Sequence, residues 1–416
     1  MNRSVHAVTA GAFLHRVAET FYDLAMPLLV LKLTGSAVLM SVMFGLGYLA
    51  ELLVSMFGGT FIDRMDRRKL LITVAAAEVL TMGIAGTADS LDALSVPALI
   101  GLAFVIDGLV RLSITADSSV LPQLVEREQV PRASGRLQMA LSTAQALGPA
   151  LAGACVVLAG LGGTLWITAG AFLPLLGLVF LVKWPAREPV TAQAGAGIAG
   201  FARSSWHGMA FTFGNRMYRA LLLWRGVFDF AYGAVYLMLI YYFQHQRHLS
   251  GAEIGLIATC GALGGLAGGA MFARVQAHFR SGTLLLGSAL IMAAASSLLP
   301  FTGSWPVLGL LLAVLMFFGA LVGRLTGLLF QTTVPAQYLG RVISATQLIS
   351  TATGPVSVLL AGWLSQNYGA STVFFGGSAV VVLLVVASLR SRIATADWGV
   401  PRRREPVVVA EPAAAA

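Results

Sequence analysis

Charged residues are scarce in this chain. Asp, Glu, Lys and Arg make up 11% of its 416 residues, against 57% hydrophobic residues. A soluble domain carries about a quarter of its residues as charges. The deficit excludes an ordinary soluble protein and predicts a chain embedded in a lipid bilayer, for which length is no guide to the number of domains.

Cysteine and histidine are also rare. The two cysteines, Cys155 and Cys260, lie in apolar runs, which predicts packing residues and no disulfide framework or metal site. Of the six histidines only His15 lies in an apolar run, and the sequence contains no His-Glu-x-x-His and no phosphate-binding Gly-x-x-x-x-Gly-Lys-Ser/Thr segment. These absences argue against an enzyme and against an ATP-driven pump.

Twelve apolar segments are each long enough to cross a hydrocarbon core of about 30 Å, which needs about 20 helical residues. They lie at about 8–31, 37–59, 70–88, 97–120, 134–159, 164–183, 217–243, 251–273, 283–301, 305–330, 342–364 and 371–390. The first could be taken for a signal peptide, because Arg3 precedes an apolar stretch. It carries Arg16, Glu19 and Asp23 and lacks a small-residue cleavage site, so we interpret it as the first spanning helix.

The connections between these segments are short, with one exception at 184–216, which is basic and rich in Gly and Ala. This predicts an N-terminal six-helix half at 1–183, a cytoplasmic linker at 184–216 and a C-terminal six-helix half at 217–390. The Arg-, Pro- and Ala-rich tail at 391–416 is typical of a disordered segment.

The basic residues are distributed unevenly. Of the 27 Lys and Arg residues, all but six fall on one side of the predicted bilayer; Lys32 and Arg247 fall on the other side, and four lie within spans. Because the cytoplasmic side is the positive one, we expect both termini in the cytoplasm of a multi-pass plasma-membrane protein. The same pattern accounts for the net charge of +9 without nucleic acid as a partner.

The loop between the second and third segments reads Gly-Thr-Phe-Ile-Asp-Arg-Met-Asp-Arg-Arg-Lys from Gly59 to Lys69. It resembles the signature loop Gly-x-Leu-Ala-Asp-Arg-x-Gly-Arg-Arg of the major facilitator superfamily, and its Asp-Arg-x-Asp-Arg-Arg form is similar to the branch of siderophore exporters and macrolide efflux proteins. Such a loop of alternating charges can hold neighbouring helix ends in one conformation and release them in another. The positions that match the signature are Gly59, Asp63, Arg64, Arg67 and Arg68. By analogy, we expect Asp117 at the end of the fourth segment to pair with this loop.

A second resemblance lies in the fifth segment, where Gly148, Pro149 and Gly153 match the antiporter motif Gly-x-x-x-Gly-Pro-x-x-Gly-Gly of proton-coupled exporters. A Gly-Pro step bends a helix, and small residues allow close helix packing. The same step recurs at Gly354, as an internal repeat of two halves requires. The resemblance implies an all-α twelve-helix major facilitator fold, with two pseudo-symmetric six-helix halves around a central cavity.

Charge at membrane depth is costly and is a functional-site hypothesis by default. Helical spacing groups the buried charges with polar and aromatic residues on the segments that, by the resemblance, surround the cavity. Four arginines lie where a long side chain can extend to the headgroups, so the central acids are the stronger clue. The proton-coupling candidates are Glu19, Asp23 and Asp229. The substrate-cavity candidates are Arg16, Asp107, Arg111, Gln138, Gln145, Arg225, Phe228, Tyr232, Tyr236 and Gln347.

Several of these charges have a purely structural interpretation. Spacing allows ion pairs Arg16–Glu19, Asp107–Arg111 and Arg225–Asp229 within single helices. Glu51 and Glu78 could form pairs across the hairpin of the second and third segments and have no role in the cavity. On the eighth segment, Gly261, Gly265 and Gly269 predict a close-packing face.

The resemblance implies a secondary active transporter that works by alternating access without a cofactor. We expect a monomeric proton-coupled antiporter that exports an amphipathic drug or secondary metabolite, with the substrate, protons and the bilayer as its partners. The alternatives are an exporter of a specific anionic natural product such as a siderophore, and a lipid carrier or import symporter of the same fold.

Overall fold

The computed structural model describes residues 3–64, 67–120, 129–181, 216–334 and 336–391, and every regular element among them is helical. In the first half these are α1 (Arg3–Thr34), α2 (Ala37–Arg64), α3 (Arg67–Ser90) and α4 (Val96–Val120), followed by one helical run, Val130–Leu181. Gly160 interrupts that run at φ 73° and ψ 178°, a conformation that glycine adopts without a Cβ penalty. We label the two arms α5 (130–159) and α6 (161–181).

The second half has six helices among the described residues. They are α7 (Arg216–Tyr241), α8 (Gly251–Gln276), α9 (Ser281–Leu298), α10 (Trp305–Thr333), α11 (Ala336–Tyr368) and α12 (Ala370–Leu389). A π-helical turn at Tyr242–Gln246 continues α7, and a 3₁₀ turn at Leu299–Phe301 continues α9. The predicted linker and nearly all of the predicted tail lie outside the described residues.

The helices pack in two matching sets. In the first half α1 packs on α5, α2 on α4, and α3 on α4 and the α5–α6 run; in the second half α7 packs on α11, α8 on α10, and α9 on α10 and α12. Each contact recurs between helices numbered six higher. This is the pseudo-symmetric arrangement of two six-helix halves that the sequence predicts.

Nine stretches among the described residues are long and apolar enough to cross a membrane, and one of them, Arg132–Pro174, contains the Gly160 break. Helices α1 and α11 are not among these stretches. They carry polar stripes, which lower the hydropathy of a helix that lies inside a bundle. The count of twelve spans therefore stays a prediction.

The two halves meet at one end of the bundle, which we call the turn end because the α1–α2, α7–α8 and α11–α12 turns lie there. The backbone N–H of Ala37 donates to Oε1 of Gln366 at 2.8 Å, joining α2 to α11. Gly35 and Gly369, both at positive φ, lie beside His245 and Gln246 of the π-helical turn. Arg247 donates to the Tyr242 hydroxyl at 2.6 Å and to the Pro300 carbonyl at 2.5 Å. The turns are therefore tied to one another.

Candidate functional site

Helix α7 presents a row of aromatic rings with four-residue spacing, so that they share one helix face. The Trp224 and Phe228 rings stack 5.1 Å apart, the Phe228 and Tyr232 rings are 4.8 Å apart, and the Tyr232 and Tyr236 rings are 6.0 Å apart. We call these four residues the aromatic ladder. Trp224 is buried, and the other three line the cavity described below.

An ion pair lies beside the ladder on the same helix. The Nε of Arg225 donates to Oδ2 of Asp229 at 2.7 Å, and the Ser350 hydroxyl of α11 donates to the same oxygen at 2.5 Å. The Nη1 of Arg225 donates to the Thr326 hydroxyl of α10 at 3.2 Å. The predicted Arg225–Asp229 pair is therefore present, and it joins α7 to α10 and α11. Ser350 and Thr326 were missed by the sequence analysis, because pairing across helices leaves no spacing signal.

A cavity of about 630 Å³ lies between the two halves. Of the lining residues that the structure describes, four come from the first half: Tyr48, Glu51, Ser142 and Gln145. The rest come from α7, α8, α9, α10 and α11. The described lining thus comes chiefly from the second half, whereas the candidates named from the sequence came from both halves. Of the substrate-cavity candidates, those in its lining are Gln145, Arg225, Phe228, Tyr232 and Tyr236.

Arg324 of α10 also lines the cavity. Its guanidinium lies over Gly269 of α8, where a Cβ would stand 3.0 Å from Nη2. The side chain is exposed, and it forms no ion pair or hydrogen bond among the side chains that the structure describes. Gly265 and Gly269 face this cavity, whereas Gly264 and Gly268 press against the α10 backbone at Ala313 and Phe317. Of the three predicted packing glycines, Gly261 packs tightly against Leu312 of α10, but the closest contacts with the α10 backbone are made by Gly264 and Gly268, which the sequence did not single out.

Charges on α2 and α4 pair differently from the prediction. Arg111 on α4 lies 3.0 Å from Oε2 of Glu51 on α2, and Asp107 accepts a hydrogen bond from the Tyr22 hydroxyl of α1. The predicted Asp107–Arg111 pair is therefore wrong, because neighbouring helices supply closer partners. Asp107 and Arg111 stand outside the lining of the cavity, while Glu51 belongs to it.

A polar stripe runs along α1, a helix whose other central residues are mostly buried. Arg16 and Glu19 form the predicted ion pair at 2.5 Å. Asp23 follows one turn later on the same face, is exposed, and forms no ion pair or hydrogen bond within the described part of the chain. It interacts electrostatically with both Arg16 and Glu19, and Glu19 interacts in the same way with Asp107. The stripe therefore lies in the first half, apart from the lining of the cavity.

His15 and Glu78 form a buried pair that the sequence analysis did not predict. The Nε2 of His15 lies 3.0 Å from Oε1 of Glu78, and neither side chain is more than 4% exposed. The His15 ring also contacts the Phe172 ring, with the centroids 5.2 Å apart. Glu51 and Glu78 thus have separate partners on α4 and α1, so that the assignment of both to the hairpin of α2 and α3 is wrong.

The residues of the antiporter-like motif lie at close helix contacts. Gly148 of α5 faces Thr20 of α1, with no space for a Cβ between them. Gly153 faces Gly251 and Gly255 of α8, and the Pro149 carbonyl lies 2.5 Å from the position of a Cβ on Gly255. On the other side of the bundle Gly362 of α11 faces Ser41 of α2. We call these α5–α8 and α2–α11 contacts the seal.

The cavity begins where the seal ends. Tyr48 lies against Gly354, where a Cβ would stand 2.9 Å from its ring, and both residues belong to the lining. Along α2 and α5, the lining residues Glu51 and Gln145 lie on the side of the seal away from the turn end. The cavity therefore lies toward the opposite end of the bundle, which we call the loop end.

Several predicted positions cannot be assigned contacts. The side-chain environments of the signature-loop positions Gly59, Asp63, Arg64 and Arg67, and of Asp117 and Gln347, lie outside the described part of the structure. Arg68 is exposed at the start of α3, and Gln138 is exposed and lies 3.5 Å from the Ser142 hydroxyl. The switch role of the loop stays a prediction.

The sequence matches the profile of the Major Facilitator Superfamily over residues 8–243 and 221–414. This chain belongs to the major facilitator superfamily. It is accordingly a multi-pass membrane transporter and not an enzyme.

Three relatives confirm the predicted resemblance to efflux-type members of the superfamily. The multidrug efflux pump Tap of Mycolicibacterium fortuitum is 25% identical over 414 residues, covering 94% of this chain and 95% of Tap. The macrolide efflux protein A of Streptococcus pyogenes is 25% identical over 409 residues, covering 94% and 97%. An enterobactin exporter, EntS of Citrobacter koseri, is 25% identical over 346 residues, covering 81% and 79%.

Solved structures of other transporters share the fold. The nucleoside transporter NupG superimposes with a TM-score of 0.72 at 11% identity, covering 93% of this chain and 98% of NupG. A bacterial homologue of the iron transporter ferroportin gives 0.73 at 16% identity, covering 95% and 99%.

Proposed function

We propose that this transporter exports amphipathic small molecules in exchange for protons, by alternating access. The observation that carries the proposal is a cavity of about 630 Å³ that the seal closes on one side, in a bundle whose helix α1 carries a separate acidic stripe. Pockets of this volume suit drug-sized molecules. The efflux pumps among the sequence relatives support the outward direction.

The orientation follows from the distribution of basic residues. With the loop end in the cytoplasm of the plasma membrane, both termini are cytoplasmic and the cavity takes up its cargo from the inside. Release outside then requires the α5–α8 and α2–α11 contacts of the seal to separate. Rocking of two six-helix halves about a site between them supplies such a motion, and a monomer suffices for it.

The acid that carries the proton is Asp23 in this proposal. Glu19 is engaged by Arg16 and Asp107 by Tyr22, which leaves Asp23 as the exposed acid of the α1 stripe. A proton on Asp23 removes a negative charge beside Glu19 and so changes the net charge of the polar stripe on α1. The proton gradient supplies the energy, and no cofactor takes part. Asp229, tied to Arg225 and Ser350, is the second candidate.

The test uses proteoliposomes with an acidic interior and the dyes fluorescein and rhodamine 6G as probes. The wild-type protein should accumulate at least one dye when the pH gradient is imposed. Asp23→Asn should abolish gradient-driven accumulation but retain dye counterflow, which needs no net proton movement. Asp92→Asn is the matched control, because Asp92 is an exposed acid in the α3–α4 turn with a positive φ that Asn tolerates.

Two outcomes contradict the proposal. If Asp23→Asn and Glu19→Gln both retain gradient-driven accumulation, the coupling assignment is wrong. If the wild-type protein shows counterflow of a dye but no response to a pH gradient of either sign, the chain is not a proton antiporter.

A further inference from the structure

We propose that the cavity selects amphipathic anions: an aromatic body lies on the ladder, and an acidic group binds the guanidinium of Arg324. This inference names a substrate class for the cavity and rests on the proposed transport function.

Four charged residues line the cavity: Glu51, Arg225, Asp229 and Arg324. Three of them already have an ionic partner. Glu51 is 3.0 Å from Arg111, and Arg225 and Asp229 are 2.7 Å from each other. Among the described lining residues, Arg324 is the one whose charge no ion pair balances. The lining therefore offers a cation to an incoming molecule, and its carboxylates are already engaged.

Arg324 fits into the cavity wall because the residue beneath it, Gly269, has no side chain. Its guanidinium lies flat against Gly269, whose ideal Cβ would stand 3.0 Å from Nη2 and 3.5 Å from Nε and Cζ. A guanidinium carries planar N–H donors that suit carboxylate, phenolate or phosphate oxygens. An arginine whose only role is to reach the lipid headgroups needs no glycine beside its guanidinium.

The ladder residues Phe228, Tyr232 and Tyr236 line the same cavity as Arg324, and contacts between α7 and α10 set their positions along the two helices. The Tyr236 hydroxyl lies against Gly319 of α10, and Arg225 contacts Thr326 of the same helix, so the ladder runs antiparallel to 319–326. Arg324 falls within that interval, about 8 Å along the axis from Gly319 at 1.5 Å per residue. The intervening lining positions are small, namely Gly319, Ala320 and Gly323. They leave room for the body of the ligand.

The competing possibility is a cationic ligand received by the faces of the ladder rings through cation–π contacts. A cation would meet Arg324 across the cavity without a free carboxylate in the described lining to offset it. Charge-assisted hydrogen bonds to Arg324 favour the anion instead. The two possibilities predict opposite rankings for molecules that share one scaffold.

Fluorescein and rhodamine 6G are such a pair, because both carry a xanthene ring system and they differ in charge. Binding is measured by fluorescence polarisation on the purified full-length protein in detergent, at mildly alkaline pH, where fluorescein is an anion. The wild-type protein should bind fluorescein more tightly than rhodamine 6G. Arg324→Gln should weaken fluorescein binding about tenfold or more and leave rhodamine 6G binding unchanged or stronger.

Two glycine variants test the position of the guanidinium without removing its charge. Gly269→Ala places a methyl group against Nη2, so fluorescein binding should fall severalfold. Gly287→Ala adds the same methyl group on α9 outside the lining, where a Cβ has no atom within 4 Å, and it should bind fluorescein like the wild type. Arg219→Gln, which removes an exposed basic residue of α7 outside the lining, is the control for net charge. Thermal unfolding of each variant checks that it is folded.

Tighter binding of rhodamine 6G by the wild-type protein would overturn the inference, as would equal effects of Arg324→Gln on the two dyes. Loss of fluorescein binding in Gly287→Ala equal to that in Gly269→Ala would also overturn it, because the loss would then not depend on the position of the guanidinium. Binding is measured without a gradient. A failure of proton coupling in the proteoliposome test therefore leaves this result standing, and the two proposals fail separately.

Discussion

Gly153 on α5 and Gly255 on α8 face each other so closely that a Cβ on Gly153 would stand 2.9 Å from the Cα of Gly255. The carbonyl of Pro149, one turn before Gly153, lies 2.5 Å from where a Cβ on Gly255 would be. The two backbones are thus in direct contact. Gly153 belongs to the antiporter-like motif, and the structure gives that position a packing reason: it allows the two halves to meet at the turn end.

We therefore expect Gly255→Ala to impair transport by obstructing the seal. Overpacking of this kind costs about 1–3 kcal/mol, which shifts a conformational equilibrium by about fivefold to a hundredfold. Dye accumulation in proteoliposomes measures the effect, and thermal unfolding in detergent confirms that the protein is folded. Gly170→Ala is the matched control, since a Cβ there has no atom within 4 Å. Wild-type transport by Gly255→Ala would show that the contact is dispensable.

The Arg225–Asp229 pair allows a separation of structural and proton-carrying roles. If Asp229 serves to balance Arg225, Asp229→Asn should lose transport and stability, because it leaves a cation without its partner. The double variant Arg225→Gln/Asp229→Asn should then recover at least part of the loss. The unfolding free energies of the two single variants and the double variant form a cycle whose coupling term we expect to be about 1–3 kcal/mol. Additive losses would mean that the two side chains act independently.

The buried His15–Glu78 pair should contribute to stability and not to substrate binding, since neither residue lines the cavity. We expect His15→Ala to be strongly destabilising, by about 3–5 kcal/mol, because it withdraws a partner from a carboxylate that has no exposure. His15→Ala/Glu78→Gln should be more stable than His15→Ala alone, since no charge then remains in the α1–α3 contact. Denaturant unfolding in mixed micelles measures the order, and the reverse order would contradict this account.

The orientation can be tested by labelling single cysteines in a background without Cys155 and Cys260. Ser95→Cys lies in the exposed α3–α4 turn at the turn end, and His278→Cys lies in the exposed α8–α9 turn at the loop end. A membrane-impermeant maleimide added to intact cells should label position 95 and spare position 278. After permeabilisation both should react. Labelling of position 278 in intact cells would invert the topology.

The sequence predicted the helices well because apolar length is a local property. The segments at 37–59 and 97–120 lie within α2 and α4, whose bounds differ from them by a few residues. Helices α1 and α11 were also predicted, although their polar stripes reduce the apolar signal. The junction at Gly160 was predicted as an ordinary loop at 160–163 and is a single break between two helical arms.

Side-chain partners were predicted only where both residues lie on one helix. Arg16–Glu19 and Arg225–Asp229 are three and four residues apart, and both form. Asp107 and Arg111 have the same spacing, yet Tyr22 and Glu51 from other helices take their place. The His15–Glu78 pair spans 63 residues, a separation that carries no periodic signal. Packing between helices, which decides these cases, depends on rotations that one sequence does not reveal.

The unequal contribution of the two halves to the cavity has a consequence for how such a transporter can diverge. The described lining of the cavity lies mainly on α7, α8, α10 and α11, whereas the acidic stripe lies on α1. If the cavity binds the cargo and the stripe carries the proton, as proposed above, substitutions that alter cargo choice can accumulate in one half while the acids of the other stay unchanged. A lineage with this arrangement can acquire a new cargo without changing its proton-coupling residues. A chimera that carries the second half of a relative should therefore transport that relative's cargo.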